Sequence, residues 1–301
     1  MSITALVLII IAALAHSTWN LLAKRAADCR HLMWFVCIGA SILLLPAAIW
    51  VLGDDWPKLG PKAAVFLLAT GLLHVLYFEA LQRGYRAGDL SVVYPLARGT
   101  GPLFSFGGAI LVLHERPTAL AFGGALLVVC GILLLSGGAR IFNRNNNNSS
   151  GGHAGNFSGH SGRAGIFWGT MTGLTIACYT IVDGYSVKVL LLSPILVDFA
   201  ENLFRTIVFS YRGWRERATL PEEFARCWKE ALGIAVLTPM AYILVLFAMR
   251  IAPVSHIAPA REMSMMIGAY FGTKLLHEGN AKQRIFASLL IASGVAGLVL
   301  G

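Results

Sequence analysis

The sequence predicts an all-α membrane protein whose ten transmembrane helices form two inverted five-helix repeats. Three observations carry this. First, 56% of the 301 residues are hydrophobic, 13% are charged and the mean hydropathy is +0.69, which leaves too little polar surface for a water-soluble globule. Second, ten windows approach the roughly 20 apolar residues that a spanning helix needs: 3–22, 32–52, 63–81, 90–113, 119–135, 166–187, 195–211, 231–249, 254–276 and 285–300. Third, polar landmarks of the fourth and fifth windows return in order near the C-terminus. Arg86, Ser91 and Pro95 recur as Arg250, Ser255 and Pro259, a shift of 164 positions; Arg98, Leu113-His114-Glu115 and Gly131 recur as Arg261, Leu276-His277-Glu278 and Gly294, a shift of 163. A duplication with one deletion explains the series. Five helices per half, an odd number, turn the second half over relative to the first across the bilayer. The first repeat covers 1–138, a tether 139–163 and the second repeat 164–301.

The first window ends in Ala13-Leu14-Ala15, like a secretory cleavage site, but no basic residue precedes its apolar run, so it reads as a spanning helix. Near its end lie His16, Ser17, Thr18, Trp19 and Asn20. Polar groups at that position suit a helix that lines a wet space or approaches the interface. The second window is apolar and stops at Gly53-Asp54-Asp55-Trp56-Pro57, a helix-breaking run. The third carries His74 and Phe78 on one face, and Glu79 as its single acid, which must pair, protonate or meet water.

In the fourth window Pro95 and Pro102 each remove a backbone donor, predicting a kink or local unwinding. Arg98 lies about two turns inside, with Tyr94 one turn earlier on the same face. His114-Glu115 and its copy His277-Glu278 lack the second histidine of a metalloprotease helix; both end an apolar run and read as helix-end residues. The Asn/Gly/Ser-rich stretch 139–163, with His153 and His160, has too few apolar residues to fold and reads as a flexible tether.

The sixth window repeats the polar theme with Tyr179, Thr180 and Asp183. In the seventh, Asp198, Glu201, Asn202 and Arg205 fall at i, i+3, i+4 and i+7, on one face that cannot look at lipid. The charged stretch 211–230 reads as a solvated surface helix or loop. The eighth window has Pro239 and Tyr242. The ninth mirrors the fourth with His256, Pro259, Arg261 and Glu262; in a continuous helix, adjacent Arg261 and Glu262 point about 100° apart and need different partners or a wide wet space.

Cys29, Cys37, Cys130, Cys178 and Cys227 are odd in number and widely spaced, so they read as packing residues, not metal or redox motifs. The net charge of +9 falls to loop residues that orient membrane helices, not to nucleic-acid binding.

The run Gly88-Asp-Leu-Ser-Val-Val-Tyr-Pro-Leu-Ala-Arg-Gly-Thr-Gly-Pro102, then Leu113-His-Glu-Arg-Pro117 and the weaker Ala252-Pro-Val-Ser-His-Ile-Ala-Pro259, resembles the EamA repeats of the drug/metabolite transporter superfamily. The resemblance implies a central cavity between the two halves, no enzymatic activity and no bound cofactor. It departs at Glu262, which stands where the first half has Gly99.

The expectation is then a secondary transporter in the bacterial cytoplasmic membrane, a monomer or homodimer in the lipid bilayer, exporting a small polar metabolite such as an amino acid or organic anion. Substrate contacts are expected from Trp19, Asn20, His74, Tyr94, Arg98, Asp198, Asn202, Tyr242 and Arg261; Glu79, Asp198 or Glu262 would couple transport to protons, with no catalytic residue and no metal. An intramembrane enzyme on lipid-linked substrates, or a non-transporting partner subunit, are the alternatives. Basic residues concentrate in loops after odd-numbered helices, which puts both termini outside; the family is usually drawn with both inside.

Overall fold

The computed structural model describes residues 1–26, 28–87, 90–135, 159–267 and 281–301. Among them lie α1 (Ile3–Arg25), α2 (Leu32–Asp55), α3 (Pro61–Ala87), α4 (Leu90–Val112), α5 (Ala119–Leu135), α6 (Gly159–Lys188), α7 (Pro194–Arg215), α8 (Leu220–Ile251), α9 (Val254–Ala260) and α10 (Ala281–Leu300). No strand occurs among these residues. The Gly88-Asp89 turn, His153 with tether residues 139–158, and the His277-Glu278 pair fall outside the described residues.

Five helices, α1, α2, α3, α6 and α8, are long and apolar enough to cross a bilayer, while α5 and α10 are shorter apolar helices. In α7, Asp198, Glu201 and Arg205 interrupt the apolar run. The surface is the reverse of a soluble protein's: Ile3, Trp50, Leu111 and Leu300 are 76 to 82% exposed, whereas Asp183, Asp198 and Glu262 are buried. Such a surface suits hydrocarbon.

Local chemistry sets the helix ends. Ser2 caps α1 by accepting from the Ala5 N–H at 3.2 Å, and Lys24 and Arg25 close its last turn, where the macrodipole favours cations. At the start of α8, Pro221, Glu222 and Glu223 occupy the first turn, as suits a helix N-terminus. The helix therefore absorbs residues 220–230, half of the stretch read as surface. Similarly, α6 begins at Gly159, so residues 159–163 of the expected tether are helical. α4 is continuous over Leu90–Val112 despite its prolines. It is the ninth element that breaks: α9 stops at Ala260, Arg261 and Glu262 form a turn, and helix resumes at 263–267.

The principal packing pairs are α4 with α6, α5 with α10, α3 with α6, α1 with α8 and α2 with α7; α2 also meets α8, α3 meets α7 and α4 meets α9. At one end of the bundle the Met1 ammonium donates to the Val299 carbonyl at 2.8 Å, and Asp55 accepts from the Ser193 N–H at 2.7 Å. Glu115 belongs to the same end, accepting from Lys188 at 2.9 Å and from the N–H groups of Val254 and Ser255 at 2.7 and 2.8 Å. Glu115 thus serves a helix end, but that of α9, while His114 leaves α4 with φ 53°, a left-handed exit that histidine tolerates better than most side chains. At the opposite end Arg30 pairs with Glu216 at 3.0 Å and His31 with Glu223 at 2.9 Å. Cys29 and Cys227 form a disulfide there, with Cα atoms 6.5 Å apart, which corrects their reading as packing residues; the helix boundary at Leu220 brings two sequence-distant segments together.

The larger core, including Ala5, Ile9, Ala63, Phe106, Val187 and Met249, fills the end that holds the chain termini. The smaller, around Leu32, Val36, Ala231 and Ile234, lies toward the other.

Candidate functional site

Between the halves lies a cavity of about 300 Å³ walled by α1, α2, α3, α4, α6, α7 and α8 and by Arg261. It occupies the part of the bundle nearest the α1–α2 turn, as its lining from Ala12 to Asn20 on α1 and from His74 to Tyr85 on α3 shows. A larger groove of about 750 Å³ runs along α4 and α6 but has no charged side chain in its lining; it faces outward with other lipid-suited surface.

Of the residues singled out from the sequence, Trp19, Asn20, His74, Tyr94, Arg98, Asn202, Tyr242 and Arg261 line the cavity. Asp198 sits behind the wall, buried, with its Oδ2 accepting from the Asn202 amide at 3.0 Å. Glu262 is also buried and reaches the cavity through its partners: Arg98 Nη1 lies 3.3 Å from Oε2, and Arg261 Nε lies 3.5 Å from Oε1. The turn at 261–262 brings neighbours onto one carboxylate, which an unbroken helix would have kept apart. This corrects the expectation of separate partners. Glu79 is not brought in. It pairs with Arg83 at 3.2 Å, four residues on, and both side chains are about half exposed, 46% and 53%, which is the pairing expected of an acid in this span and sets it away from the cavity.

Around Arg98 the ring of Tyr94 lies 5.8 Å away and His16 Nε2 lies 3.3 Å from Nη2. Arg261 stands over Tyr179 at 5.9 Å. Arg98 thus contacts α1 and Arg261 contacts α6. Two guanidiniums share one carboxylate at distances longer than a tight charge-assisted hydrogen bond, so donors remain for an anionic group in the cavity.

The opposite wall is acidic. The face of α7 predicted from spacing turns inward, with Asp198, Glu201 and Asn202 all buried. Arg205 donates to Glu201 Oε1 at 2.5 Å and to Asn202 Oδ1 at 3.0 Å. His74 of α3 stands 2.7 Å from Glu201 Oε2 and stacks on Tyr179, ring centroids 4.1 Å apart. Tyr242 of α8 donates to Asp183 of α6. His74, Asp183 and Glu201 come close enough for their ligand atoms to lie within 4.8 Å of one another, a meeting that no metal-ligand spacing along the chain announces. Sequence reasoning noted His16, Tyr179, Asp183 and Glu201 without placing them in the site. Their signal was polarity inside an apolar window, and only packing between helices shows which of them meet.

Comparison with known proteins adds the following. Residues 3–137 match the EamA-like transporter family. No curated protein sequence matches the chain. A solved structure titled "Crystal structure of protein" superposes with a TM-score of 0.71 at 15% identity, over 100% of this chain and 98% of its own, a likeness of fold.

Proposed function

Since residues 3–137 match the model of the EamA-like transporter family, we propose that the chain is a secondary transporter exporting a small polar metabolite, an amino acid or an organic anion, by alternating access. The observation that carries this reading is the cavity in which Arg98 from the first half and Arg261 from the second converge on Glu262. A substrate carboxylate entering from the α1–α2 end competes with Glu262 for the two guanidiniums. Protonation of Glu262 or Asp198 releases a buried charge and supplies the coupling.

Two oppositely oriented halves account for the packing pairs other than α4 with α6. Exchanging α1–α5 with α6–α10 converts α1 with α8 into α6 with α3, and α2 with α8 into α7 with α3, while α2–α7, α4–α9 and α5–α10 map onto themselves. The chain starts at the end of the bundle where Met1 meets Val299, and α6 ends at that same end, where Lys188 meets Glu115. Hence α1 and α6, the first helices of their halves, run in opposite directions. That inversion is the architecture of alternating access, in which one half rocks against the other around a midplane site. In the arrangement seen, the core of Ala5, Phe106 and Met249 closes the termini end.

The test is flux. Purified protein in proteoliposomes, offered a panel of labelled amino acids and organic anions with and without a pH gradient, is expected to move at least one of them. Absence of movement across a panel covering both classes would refute the reading.

A further inference from the structure

His74, Asp183 and Glu201 present three ligand atoms to one point. Each residue has its other polar atom already engaged. His74 Nδ1 donates to the Thr70 carbonyl at 2.9 Å, Tyr242 donates to Asp183 Oδ2, and Arg205 donates to Glu201 Oε1. Because a carbonyl can only accept, Nδ1 carries a proton, and Nε2, 2.7 Å from Glu201 Oε2, either carries a second proton and donates to that oxygen or is free to ligate a metal ion. Asp183 Oδ1 has no hydrogen-bond partner and Glu201 Oε2 has only the His74 ring nitrogen, though both residues are more than nine-tenths buried. Three ligand atoms facing one another in this way need a positive charge among them, supplied by a proton on Nε2 or by a metal ion.

The charge count points the same way. Three carboxyl groups, Asp183, Asp198 and Glu201, oppose a single guanidinium, Arg205, in this wall. The other charged groups facing the cavity are Arg98, Arg261 and Glu262, with His16, Tyr77, Tyr179 and Tyr242 as ionisable neutral groups. Counting both walls, four carboxyl groups stand against three guanidiniums, and a monoanionic substrate adds one more negative group. A divalent cation restores balance.

We propose that His74, Asp183 and Glu201 bind a divalent transition-metal ion of the zinc and cobalt type. One imidazole and two carboxylates form a ligand set for such ions, and a ligating histidine characteristically donates its second nitrogen to a backbone carbonyl, as His74 does. His74 and Glu201 line the cavity, which supplies the entry path. The ligands come from α3 in the first half and from α6 and α7 in the second. Under the alternating-access reading, on which this clause alone rests, rocking the halves apart dismantles the site, so the ion favours the arrangement seen.

The test is equilibrium binding to the metal-stripped protein in detergent, read by the visible absorption of Co2+, with Zn2+ as competitor. One Co2+ per chain is expected. Asp183→Asn and His74→Gln should each weaken binding at least tenfold, and Tyr242→Phe, which leaves the ligands in place, by about ten- to a hundredfold. Monodisperse elution of each variant checks folding, and the conservative Tyr242→Phe keeps the test open if a ligand variant does not fold. No Co2+ or Zn2+ bound at millimolar concentration overturns the proposal; so does binding undiminished in all three variants, which would place the ion elsewhere, for example at His31, Glu216 and Glu223. Equal affinity for Mg2+ overturns the choice of metal class. Flux is not measured, so this result and that of the transport assay stand or fall separately.

Discussion

Arg98 Nη1 of α4 lies 3.3 Å from Oε2 of Glu262, a contact that joins the two halves of the chain inside the cavity. Arg98 is 15% and Glu262 1% exposed, so removing one partner strands the other charge. Breaking a buried pair in this way costs about 3–5 kcal/mol. Arg98→Ala should therefore reduce flux by at least about a hundredfold at equal protein in the membrane. Arg98→Lys should rescue little, because an ammonium cannot reproduce the planar fork that reaches Glu262, His16 and Tyr94 together. Full flux in Arg98→Ala would remove this residue from the site.

Glu262→Gln separates coupling from binding. The neutral amide leaves Arg98 and Arg261 free for an anionic substrate, so substrate affinity should rise, by about tenfold if the competing pair is worth about 1.4 kcal/mol. Stimulation by a pH gradient should fall. An unaltered gradient response in this variant would exclude Glu262 as the coupling group.

Glu115 gives a prediction outside the spans. Its burial pushes the carboxyl up, but the Ser255 N–H, the Lys188 ammonium and the Val254 N–H outweigh that and hold it below the usual carboxylate range. A folded-state value below the unfolded one means that the stabilisation is fully present above the unfolded value and is lost as pH falls through the folded one. Thermal melts in detergent should thus show the wild type losing stability as pH drops from about 5 through the carboxylate range. Glu115→Gln should be less stable at pH 7, by about 1.5–3 kcal/mol, and flatter in pH. Parallel curves for the two proteins would contradict this.

What was legible in the sequence was the apolar spans and the polar residues lodged within them. Arg98 and Arg261 were found as repeat-related landmarks, and both line the cavity. The inward face of α7 followed from the spacing of Asp198, Glu201, Asn202 and Arg205 alone, because a 3.6-residue period fixes relative direction within a helix. Direction relative to other helices is not encoded that way. Glu79 sits at a depth that looks costly, yet α3 turns it to the outside, where Arg83 meets it. The meeting of His74 with Glu201 and of Tyr242 with Asp183 depends on which helices pack, and α3, α6, α7 and α8 are far apart in the chain. The shared carboxylate of Arg98 and Arg261 depends on the turn at 261–262, invisible to a reading that assumes one unbroken helix.

The α5–α10 seam tests the duplication by packing. A Cβ on Gly131 would stand 2.9 Å from the Ala287 carbonyl oxygen, and one on Gly294 would stand 2.6 Å from that of Gly124. The 163-residue shift carries Gly131 to Gly294 and Gly124 to Ala287, so these are the same contact seen from each half. Both obstacles are backbone atoms, which cannot swing aside. Gly294→Val and Gly131→Val should each destabilise the protein in detergent melts by about 1–3 kcal/mol or more. Gly123→Ala, with nothing within 4 Å of its Cβ, should be close to neutral, and similar losses in all three would deny the seam its role.

Sidedness is the remaining consequence of the cavity's position. Asn20 lines it near the α1–α2 turn and is exposed, at the bundle end where Arg30 and Glu216 pair. Lys24, Arg25, Arg30, Arg86, Arg215, Arg217, Arg226 and Lys229 lie toward that end, against Lys58, Lys62, Arg116, Lys188 and Arg250 toward the other. Charge asymmetry would place the first end in the cytoplasm, against the Cys29–Cys227 disulfide at the same end, which favours an oxidising compartment; under the proposed export, the charge assignment has the cavity open to the cytoplasm in the arrangement seen. Asn20→Cys, in a background with Cys37, Cys130 and Cys178 replaced by Ala and the Cys29–Cys227 disulfide kept, should react with a membrane-impermeant thiol reagent in inside-out vesicles several times faster than in right-side-out cells. Substrate on Arg98 and Arg261 should slow that reaction. Labelling from the outer face alone would invert the assignment and put the termini inside.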